Sequence, residues 1–410
     1  MKKMSIQNNK RLLKLIYTYM FVLLLTVLSA CGKEINEERN DNSSGDAEVI
    51  EDTLGNEIIS GAPVIDGLTC IEKLPLDYAV YFDIYRYEGG YSLICVGDGR
   101  SYLVIPENAD IPENIDDYFI IRKPLNNIYL ASSASMALFD SMNALDTIGM
   151  TSLEADAWYV DNVRQAMEDE EILFAGKYSE PDYELLLDEE CLLAIENTMI
   201  LHTPEIQEKL EELGITVFID CSSYEDHPLA RTEWIKVYAE LTDRQDEALS
   251  FFEEQKKYVT ELSDYESTGK TVAYFYVSES GSVIVRKSED YIPKMIEIAG
   301  GDYIFDDLGS DEASASSSTN VTMEEFYNTA KDVDYLIYNS TIDNPLHSVD
   351  ELIEKNALFT DFKAVQNDNV WCTEKNMFQA TDVIGSIIND FHTVFTDENA
   401  EKLDFMYRIH

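Results

Sequence analysis

Two series of alternating strands and helices, separated by one long helix, restrict the possible folds of this chain more than any other feature of its sequence. The first series starts near Ile120 and the second at Thr271. Between them, the apolar residues from Asp243 to Leu262 lie mostly on one helical face, and a helix of this length spans about 30 Å. Strands and helices that alternate over short loops predict parallel sheets covered by helices. We therefore predict an α/β fold with two Rossmann-like βα lobes joined by a single long helix.

A short internal repeat relates the two lobes. Glu184 lies in the first turn of a predicted helix of the first lobe, and Asn197 follows the next strand. Glu324 and Asn339 occupy the corresponding positions in the second lobe. The separation from Glu to Asn is 13 residues in the first lobe and 15 residues in the second, which indicates two lobes of similar plan.

Further patterns define the domain boundaries. Three apolar or alternating runs, Tyr78–Arg86, Tyr91–Val96 and Tyr102–Ile105, are separated by turns that contain glycine, which predicts an antiparallel meander. Residues 242–245 fit a capping box at the start of the long helix. The predicted domains are an N-terminal lobe with a leading meander (63–242), an inter-lobe helix (243–265) and a C-terminal lobe (266–410).

The start of the chain carries an export signal. Five basic residues precede an apolar run from Leu15 to Leu28, and Ser29-Ala30-Cys31 follows. This order is typical of signal peptides, and it resembles the bacterial lipoprotein signal, in which the cysteine receives a diacylglycerol and becomes the first mature residue. We therefore expect residues 1–30 to be removed and the protein to be exported and lipid-anchored through Cys31 to the outer face of the cell membrane. An ordinary signal peptide with an incidental cysteine is the alternative.

The net charge excludes several classes of partner. The whole chain carries −49, and removal of residues 1–30 leaves 25 basic against 79 acidic residues, a net charge of −54. Such a surface repels nucleic acid and anionic lipid headgroups, so we expect no nucleic-acid partner. Residues 31–62 are polar and acidic without helical periodicity, which predicts a flexible tether.

The sequence lacks the common motifs for catalysis and metal binding. No His-Glu-x-x-His, Gly-x-Ser-x-Gly or phosphate-loop pattern occurs, and the five histidines lie far apart. No Cys-x-x-Cys pair occurs, so the cysteines match no zinc or thioredoxin motif. Cys70 and Cys95 flank a predicted hairpin and are candidates for a disulfide, with scattered free thiols as the alternative. We expect no catalytic residue, no metal ligand and no cofactor.

Two stretches of the chain carry a resemblance to a known family. One runs from Gly176 to Trp234 and begins Gly-Lys-Tyr-Ser-Glu-Pro-Asp-Tyr-Glu, and the other, Ile296 to Phe305, is Ile-Glu-Ile-Ala-Gly-Gly-Asp-Tyr-Ile-Phe. From about residue 120 to residue 395 the chain resembles the substrate-binding lipoproteins of ABC importers for iron-siderophore, haem and cobalamin. The resemblance implies a monomer that captures a metal chelate, ferric-siderophore-like ahead of corrinoid or haem, and delivers it to an ABC permease dimer. A surface lipoprotein or sensor that uses this fold without transport is the alternative.

The same resemblance implies two sets of site residues. In this family each lobe presents a glutamate to arginine pockets of the permease, which corresponds here to Glu184 and Glu324, with Glu325 as a neighbouring competitor. Complementation of the helix dipole is the alternative role of these side chains. The ligand is expected between the lobes, in loops that leave the carboxyl ends of the strands. The residues expected to bind it are Ser132, Ser133, Lys177, Tyr178, Glu196, Asn197, Tyr224, Arg231, Ser278, Asn339, Lys375 and Phe378.

Overall fold

The computed structural model describes residues 50–51, 57–58, 61–308 and 317–410. The predicted signal peptide, the lipidation site Cys31 and most of the predicted tether lie outside these residues. Within the described ranges, no helix is both long enough and apolar enough to cross a membrane.

A five-stranded sheet forms the N-terminal part of the described chain, and its strands follow one another in chain order. Neighbouring strands are antiparallel except the last two, which are parallel. The sheet contains the three runs of the predicted meander and adds one strand on either side. Its strands are β3 (Cys70–Lys73), β4 (Phe82–Tyr87), β5 (Ser92–Val96), β6 (Ser101–Ile105) and β7 (Phe119–Arg122). A separate antiparallel pair, β1 (Ile50–Glu51) and β2 (Glu57–Ile58), precedes them in sequence.

A wholly parallel sheet of five strands forms the first lobe. Its strands are β8 (Ile128–Leu130), β9 (Ile148–Thr151), β10 (Leu173–Phe174), β13 (Leu193–Asn197) and β14 (Thr216–Asp220), and the separate hairpin of β11 (Gly176–Lys177) and β12 (Glu180–Pro181) lies between them in sequence. The spatial order is β10-β9-β8-β13-β14. Because all five strands are parallel, the loops after β8, β13 and β14 leave the same edge of the sheet.

A seven-stranded mixed sheet forms the second lobe. Its strands are β15 (Lys270–Val277), β16 (Val283–Arg286), β17 (Gly301–Tyr303), β18 (Ser318–Val321), β19 (Tyr335–Tyr338), β20 (Val370–Thr373) and β21 (Met406–Arg408). The order is β18-β16-β15-β19-β20-β21, and β17 also pairs with β15. The central strands β15, β19 and β20 are parallel. On one side β16 pairs antiparallel with β15 and β18 with β16, and on the other side β21 pairs antiparallel with β20. The sheet is therefore less uniform than the predicted parallel sheet.

Helices cover both lobes and connect them. They are α1 (Met136–Ser141), α2 (Asp161–Glu168), α3 (Tyr183–Asp188), α4 (Pro204–Glu212), α5 (Pro228–Glu233), α6 (Ile235–Thr242), α7 (Gln245–Leu262), α8 (Tyr291–Ile298), α9 (Met323–Ala330), α10 (Val349–Lys355), α11 (Lys363–Gln366) and α12 (Ile384–Thr396). The first-lobe core is continuous with the meander, since Phe82 and Tyr102 of the meander belong to the same buried cluster as Leu130 and Phe218. One face of the meander therefore belongs to the first-lobe core, whereas its other face carries a separate cluster that includes Tyr85, Leu93 and Leu103.

Helices α5 and α6 end the first lobe, and α7 leads from them to the second lobe. The helical passage is interrupted at Trp234 and again at Asp243, whose backbone is left-handed with φ 58°. Helix α7 has 18 residues and spans about 27 Å, and it begins two residues later than the predicted inter-lobe helix. The predicted capping box at residues 242–245 is wrong, because the Thr242 hydroxyl donates to the Tyr238 carbonyl at 2.8 Å and Arg244 occupies the N-cap position.

Helix α12 of the second lobe packs closely on the long helix α7. A Cβ atom at Gly385 of α12 would lie 2.3 Å from Cδ1 of Tyr258 in α7, a distance that side chains do not tolerate. Glycine at this position therefore leaves room for the ring of Tyr258 against helix α12. The contact fixes α7 to the second lobe along its C-terminal half.

Two buried carboxylates hold the meander against the first lobe. Glu233 of α5 is 0% exposed and accepts hydrogen bonds from the backbone N–H groups of residues 77–79, each at 2.8 Å, and from Nζ of Lys236 at 2.6 Å. Glu225 is 2% exposed and accepts from the N–H groups of residues 80–81 at 3.0 to 3.1 Å. We call this arrangement, residues 77–81 with Glu225 and Glu233, the carboxylate clamp.

Candidate ligand cleft

A cleft of about 750 Å³ opens between the two lobes. Its walls are the loops after β8, β13 and β14 of the first lobe, helix α5, and two residues of the second lobe. The volume lies within the range of about 300 to 1,000 Å³ that is usual for small-molecule sites. The lining residues are Ser132, Ser133, Ala134, Asn197, Thr198, Met199, Leu201, His202, Asp220, Ser222, Ser223, Tyr224, Arg231, Ser317 and Thr381.

Five of the twelve residues expected to bind the ligand line this cleft: Ser132, Ser133, Asn197, Tyr224 and Arg231. The structure brings them together because the loops after β8, β13 and β14 leave the same edge of a parallel sheet, where open α/β sheets bind their ligands. Their role towards a ligand stays a prediction.

The floor of the cleft holds a buried carboxylate that the sequence analysis missed. Asp220 ends β14 and is 2% exposed. Its Oδ2 accepts hydrogen bonds from the hydroxyls of Ser132 at 2.6 Å and Ser135 at 2.5 Å, and its Oδ1 accepts from the N–H of Ser222 at 2.7 Å. These bonds tie the loops after β8 and β14 together. An aspartate directly after the apolar residues 217–219 was the sequence signal that could have revealed it.

Arg231 of α5 is held by both lobes at the side of the cleft. Its Nη2 donates to the carbonyl of Ser223 at 2.7 Å, and its Nε donates to the carbonyl of Glu225 at 3.4 Å. Its guanidinium carbon lies 3.6 Å from the ring centroid of Tyr291, in helix α8 of the second lobe. The position of this cation therefore depends on how the two lobes meet.

Direct hydrogen bonds join the two lobes, and one of them involves Thr381 of the cleft wall. The Thr232 hydroxyl of α5 donates to the carbonyl of Thr381 at 2.9 Å. The side-chain amide of Gln379 accepts from the N–H of Tyr159 at 2.8 Å and donates to the carbonyl of Ala157 at 3.0 Å. The lobes therefore touch each other in addition to being joined by α7.

Three of the predicted ligand residues lie in the first lobe but outside the cleft. Lys177 is exposed in the hairpin of β11 and β12, and Tyr178 packs its ring against the first-lobe core. Glu196 precedes Asn197 on β13, and successive side chains of a strand point to opposite faces of the sheet. Glu196 is therefore directed away from the loops that line the cleft.

Three predicted residues of the second lobe also lie elsewhere. The Ser278 hydroxyl donates to the carbonyl of Ser282 at 3.0 Å in the turn between β15 and β16. Lys375 lines a separate cavity of about 700 Å³ near the C-terminus. The ring of Phe378 meets the ring of Tyr159 edge-on, with centroids 6.1 Å apart, at the contact between the lobes. The structure does not bring these residues together with the five that line the cleft.

The two asparagines of the internal repeat make the same local hydrogen bond. Oδ1 of Asn197 accepts from the N–H of Met199 at 2.8 Å, and Oδ1 of Asn339 accepts from the N–H of Thr341 at 3.1 Å. Both bonds reach two residues along the chain, as in an Asx turn. Asn339 is 1% exposed, so its amide serves the loop after β19. The shared geometry supports the similar plan of the two lobes.

Glu196 is a buried carboxyl group with no hydrogen-bond partner among the described residues. It is 0% exposed, and neither of its oxygens is bonded. Burial raises the pKa of Glu196 from 4.5 to about 8, because the charged form loses its hydration. The folded protein therefore keeps this group protonated at neutral pH.

Replacement of Glu196 by glutamine is expected to reduce the pH dependence of stability. Between pH 4.5 and about pH 8 the folded state holds a proton that the unfolded state releases, so the wild-type chain loses stability as the pH rises through this window. Relative to the wild type, the free energy of unfolding of the variant increases by about 1.4 kcal/mol per pH unit in this window. Urea unfolding of both chains across this window measures the difference. Glu208→Gln, at an exposed position of α4, is the control and should show the same pH dependence of stability as the wild type. If the pH dependence of Glu196→Gln parallels that of the wild type, the expectation is contradicted.

The two glutamates predicted to dock the permease are both on the surface. Glu184 and Glu324 are exposed in the first turns of α3 and α9, and neither carboxylate makes a hydrogen bond or ion pair with another described residue. Glu325 differs, because its Oε2 accepts from the N–H and the hydroxyl of Thr322, both at 2.8 Å, in a capping box. These bonds lower the pKa of Glu325. Of the two neighbours, Glu324 is therefore the one whose carboxylate is available to a partner.

Neither a metal cluster nor a disulfide is present in the described part of the chain. No group of three or more His, Cys, Asp or Glu side chains is placed there to hold a metal ion. The five described cysteines are free thiols, so that Cys70 and Cys95 are not joined.

Comparison with known proteins identifies the family. A family model described as periplasmic binding protein matches residues 144–376, more than half of the chain. The chain belongs to the periplasmic binding protein family. Members of this family are substrate-binding proteins and not enzymes. The resemblance inferred from the sequence is therefore confirmed.

Individual relatives extend this result. An uncharacterised lipoprotein of Methanocaldococcus jannaschii is 25% identical over 386 residues, which cover 87% of this periplasmic binding protein and 86% of the relative. A possible iron-binding (periplasmic solute-binding) protein from Staphylococcus epidermidis has a TM-score of 0.53 at 17% identity and covers 67% of this chain and 100% of its own. The periplasmic haem-binding protein HutB of Vibrio cholerae has a TM-score of 0.53 at 16% identity, with coverages of 66% and 99%. The two structures confirm the predicted α/β fold.

Proposed function

We propose that this protein is a lipid-anchored solute-binding protein that captures a metal chelate of the ferric-siderophore type and delivers it to an ABC permease. The cleft of about 750 Å³ between the lobes, in a member of this family, is the observation that carries the proposal. A chelate brings the ligands of its metal with it, so the protein has to supply a shaped pocket and hydrogen bonds only. Corrinoid or haem capture would use the same cleft.

Anchoring and docking belong to the same proposal. Cys31 carries the lipid, which is supported by the archaeal relative that is named a lipoprotein. Glu184 and Glu324 place one exposed carboxylate on each lobe, and an exposed carboxylate is a suitable partner for a bidentate arginine. The protein works as a monomer that presents both lobes to the two halves of the permease.

Equilibrium titration of the full chain in detergent tests the proposal. A ferric siderophore, a corrinoid and haem are added separately, and the fluorescence of Trp158, Trp234 and Trp371 together with the tyrosines is followed. At least one chelate is expected to give a saturable change, whereas free sugars and peptides give none. Binding of a sugar or a peptide in place of every chelate would contradict the proposal.

A pair of variants places the binding in the cleft. Ser133→Arg puts a large side chain on a lining residue and is expected to weaken binding at least about tenfold, which corresponds to 1.4 kcal/mol. Ser280→Arg makes the same change at an exposed position in the turn between β15 and β16 and should bind as the wild type does. Equal affinities of the two variants would show that the chelate binds elsewhere.

A further inference from the structure

The side chains that line the cleft are mostly uncharged hydrogen-bonding groups. Seven of the fifteen lining residues are serine or threonine, Tyr224 adds an eighth hydroxyl, and Asn197 adds an amide. Among the described lining residues, Tyr224 and the imidazole of His202 supply aromatic surface, and Met199 and Leu201 supply apolar surface. Hydroxyl and amide groups recognise polar, uncharged parts of a ligand, because they offer donors and acceptors without a net charge.

Among the described residues that line the cleft, Arg231 is the only arginine or lysine, and its guanidinium already has interaction partners within the protein. Two of its nitrogens donate to backbone carbonyls, and its guanidinium lies on the ring of Tyr291. The carboxyl group of Asp226 is also close enough to this cation to be affected by its charge. The pKa of Asp226 is raised by burial and by the nearby charges of Glu289 and Asp290, and Arg231 counteracts this. The guanidinium is therefore already engaged by two carbonyls and the Tyr291 ring, which reduces the positive charge that it offers to a ligand.

A second cation behind the cleft wall is neutralised in the same way. Arg286 donates to the hydroxyl of Ser317, a lining residue, at 3.1 Å. The same Nη1 lies 3.5 Å from Oδ2 of Asp290, whose side chain is fully buried. This ion pair contributes no net positive charge to the wall.

The floor of the cleft is negative. The carboxylate of Asp220 accepts hydrogen bonds from two hydroxyls and one N–H group, and no cation is within salt-bridge distance of it in the described chain. Three neutral donors stabilise its charge without cancelling it. An anionic ligand would therefore meet a like charge in a confined site, on a mature protein that carries −54 once its five basic leader residues are removed from the −49 of the whole chain.

We propose that the cleft selects an uncharged or cationic metal chelate with hydrogen-bonding groups on its outer surface and discriminates against anionic chelates. This inference rests on the proposed function and narrows its ligand. Among siderophores, three hydroxamates with one negative charge each neutralise Fe(III), whereas three catecholates with two charges each leave the complex trianionic. Among tetrapyrrole-type ligands, cyanocobalamin is uncharged and carries amide side chains, whereas haem carries two carboxylates.

Two matched pairs of probes test the selection on the full chain in detergent. The first pair is a ferric trihydroxamate and a ferric tricatecholate, and the second is cyanocobalamin and haem. In at least one pair the uncharged probe is expected to bind, and at least about a hundredfold more tightly than its anionic counterpart. Its affinity should change little with salt, because no net charge is involved.

A charge added at the rim provides a second readout. Met199→Lys places a cation on an exposed lining residue and is expected to raise the affinity for the ferric tricatecholate at least about tenfold, with little effect on the trihydroxamate. Leu187→Lys makes the same change in net charge on helix α3, outside the cleft, and should leave both affinities unchanged.

The outcomes separate this inference from the proposed function. If an anionic probe binds as tightly as its uncharged counterpart or more tightly, the charge selection is overturned and chelate capture stands. If none of the four probes binds, the proposed function fails and the charge selection fails with it. If Leu187→Lys raises the affinity for the tricatecholate as much as Met199→Lys does, the effect comes from the whole surface and the assignment to the cleft is overturned.

Discussion

Replacement of Glu233 by alanine is expected to lower the free energy of unfolding by about 3 to 5 kcal/mol. The carboxylate is fully buried and accepts three backbone N–H groups of residues 77–79 as well as Nζ of Lys236, itself 8% exposed. The variant leaves a buried ammonium without its partner and three amides without an acceptor. Because residues 77–79 belong to the carboxylate clamp, the contact between the meander and the first lobe should lose the most stability.

Urea unfolding measures the loss, and hydrogen exchange locates it. The amides of residues 77–79 are expected to exchange faster in Glu233→Ala, with a smaller effect on strand β13 in the centre of the first-lobe sheet. Glu208→Ala removes the same group from an exposed position of α4 and should change stability by less than about 0.5 kcal/mol. A loss below about 1 kcal/mol for Glu233→Ala would show that the clamp is not a main support of the meander.

Charge reversal at both docking glutamates is expected to abolish delivery of the chelate and leave its capture intact. In Glu184→Lys/Glu324→Lys the carboxylate on each lobe becomes an ammonium, which repels the arginine pockets that the proposed function assigns to the permease. Truncating one member of a buried charge pair at an interface costs about 2 to 5 kcal/mol, and reversal at two sites should cost more. Uptake should therefore fall at least about a hundredfold.

Uptake into liposomes that contain the partner permease measures delivery, and fluorescence titration measures capture. Glu208→Lys/Glu354→Lys is the matched control, because it changes one exposed glutamate in each lobe and alters the net charge equally. The control should transport as the wild type does. Equal loss in both double variants would mean that total charge governs docking, and unchanged uptake in Glu184→Lys/Glu324→Lys would exclude these residues from the permease contact.

Local patterns predicted most of the fold because they depend on neighbours in sequence. The predicted runs Tyr91–Val96 and Tyr102–Ile105 are strands β5 and β6, each within one residue of its expected start, and Glu184 and Glu324 lie in first helical turns as expected. The short strand Ser318–Val321 was missed because three of its four residues are polar, although Thr319 and Val321 have a high propensity for strands. Asp243 was expected to be helical, and its left-handed backbone ends α6.

The candidate site was predicted only in part, because it depends on contacts between distant segments. Ser133, Asn197 and Tyr224 follow parallel strands, and parallel strands bring the loops at their ends together. Lys375 and Phe378 follow β20 in the same way, but the loop of Phe378 packs against Tyr159, 219 residues earlier in the chain, and so faces the contact between the lobes. Such a contact has no signature in either segment alone.

Glu196 shows an error that strand geometry could have prevented. It was expected to bind the ligand together with Asn197, although adjacent residues of a strand point to opposite faces. The structure places Glu196 in the interior of the first lobe with a pKa raised by burial to about 8, whereas Asn197 lines the cleft. Asp220 was missed because it is one of 79 acidic residues. Its position after an apolar strand becomes informative only when its hydroxyl partners, which are distant in sequence, are known.

The position of the metal in crystals of the complex tests chelate capture most directly. With a ferric chelate bound to the full chain, anomalous scattering at the iron edge is expected to give one peak between Ser133 and Asn197 on the first lobe and Thr381 on the second. A peak in the cavity lined by Lys375 and Arg408, or an empty cleft in crystals of a chain that binds the chelate in solution, would contradict capture between the lobes.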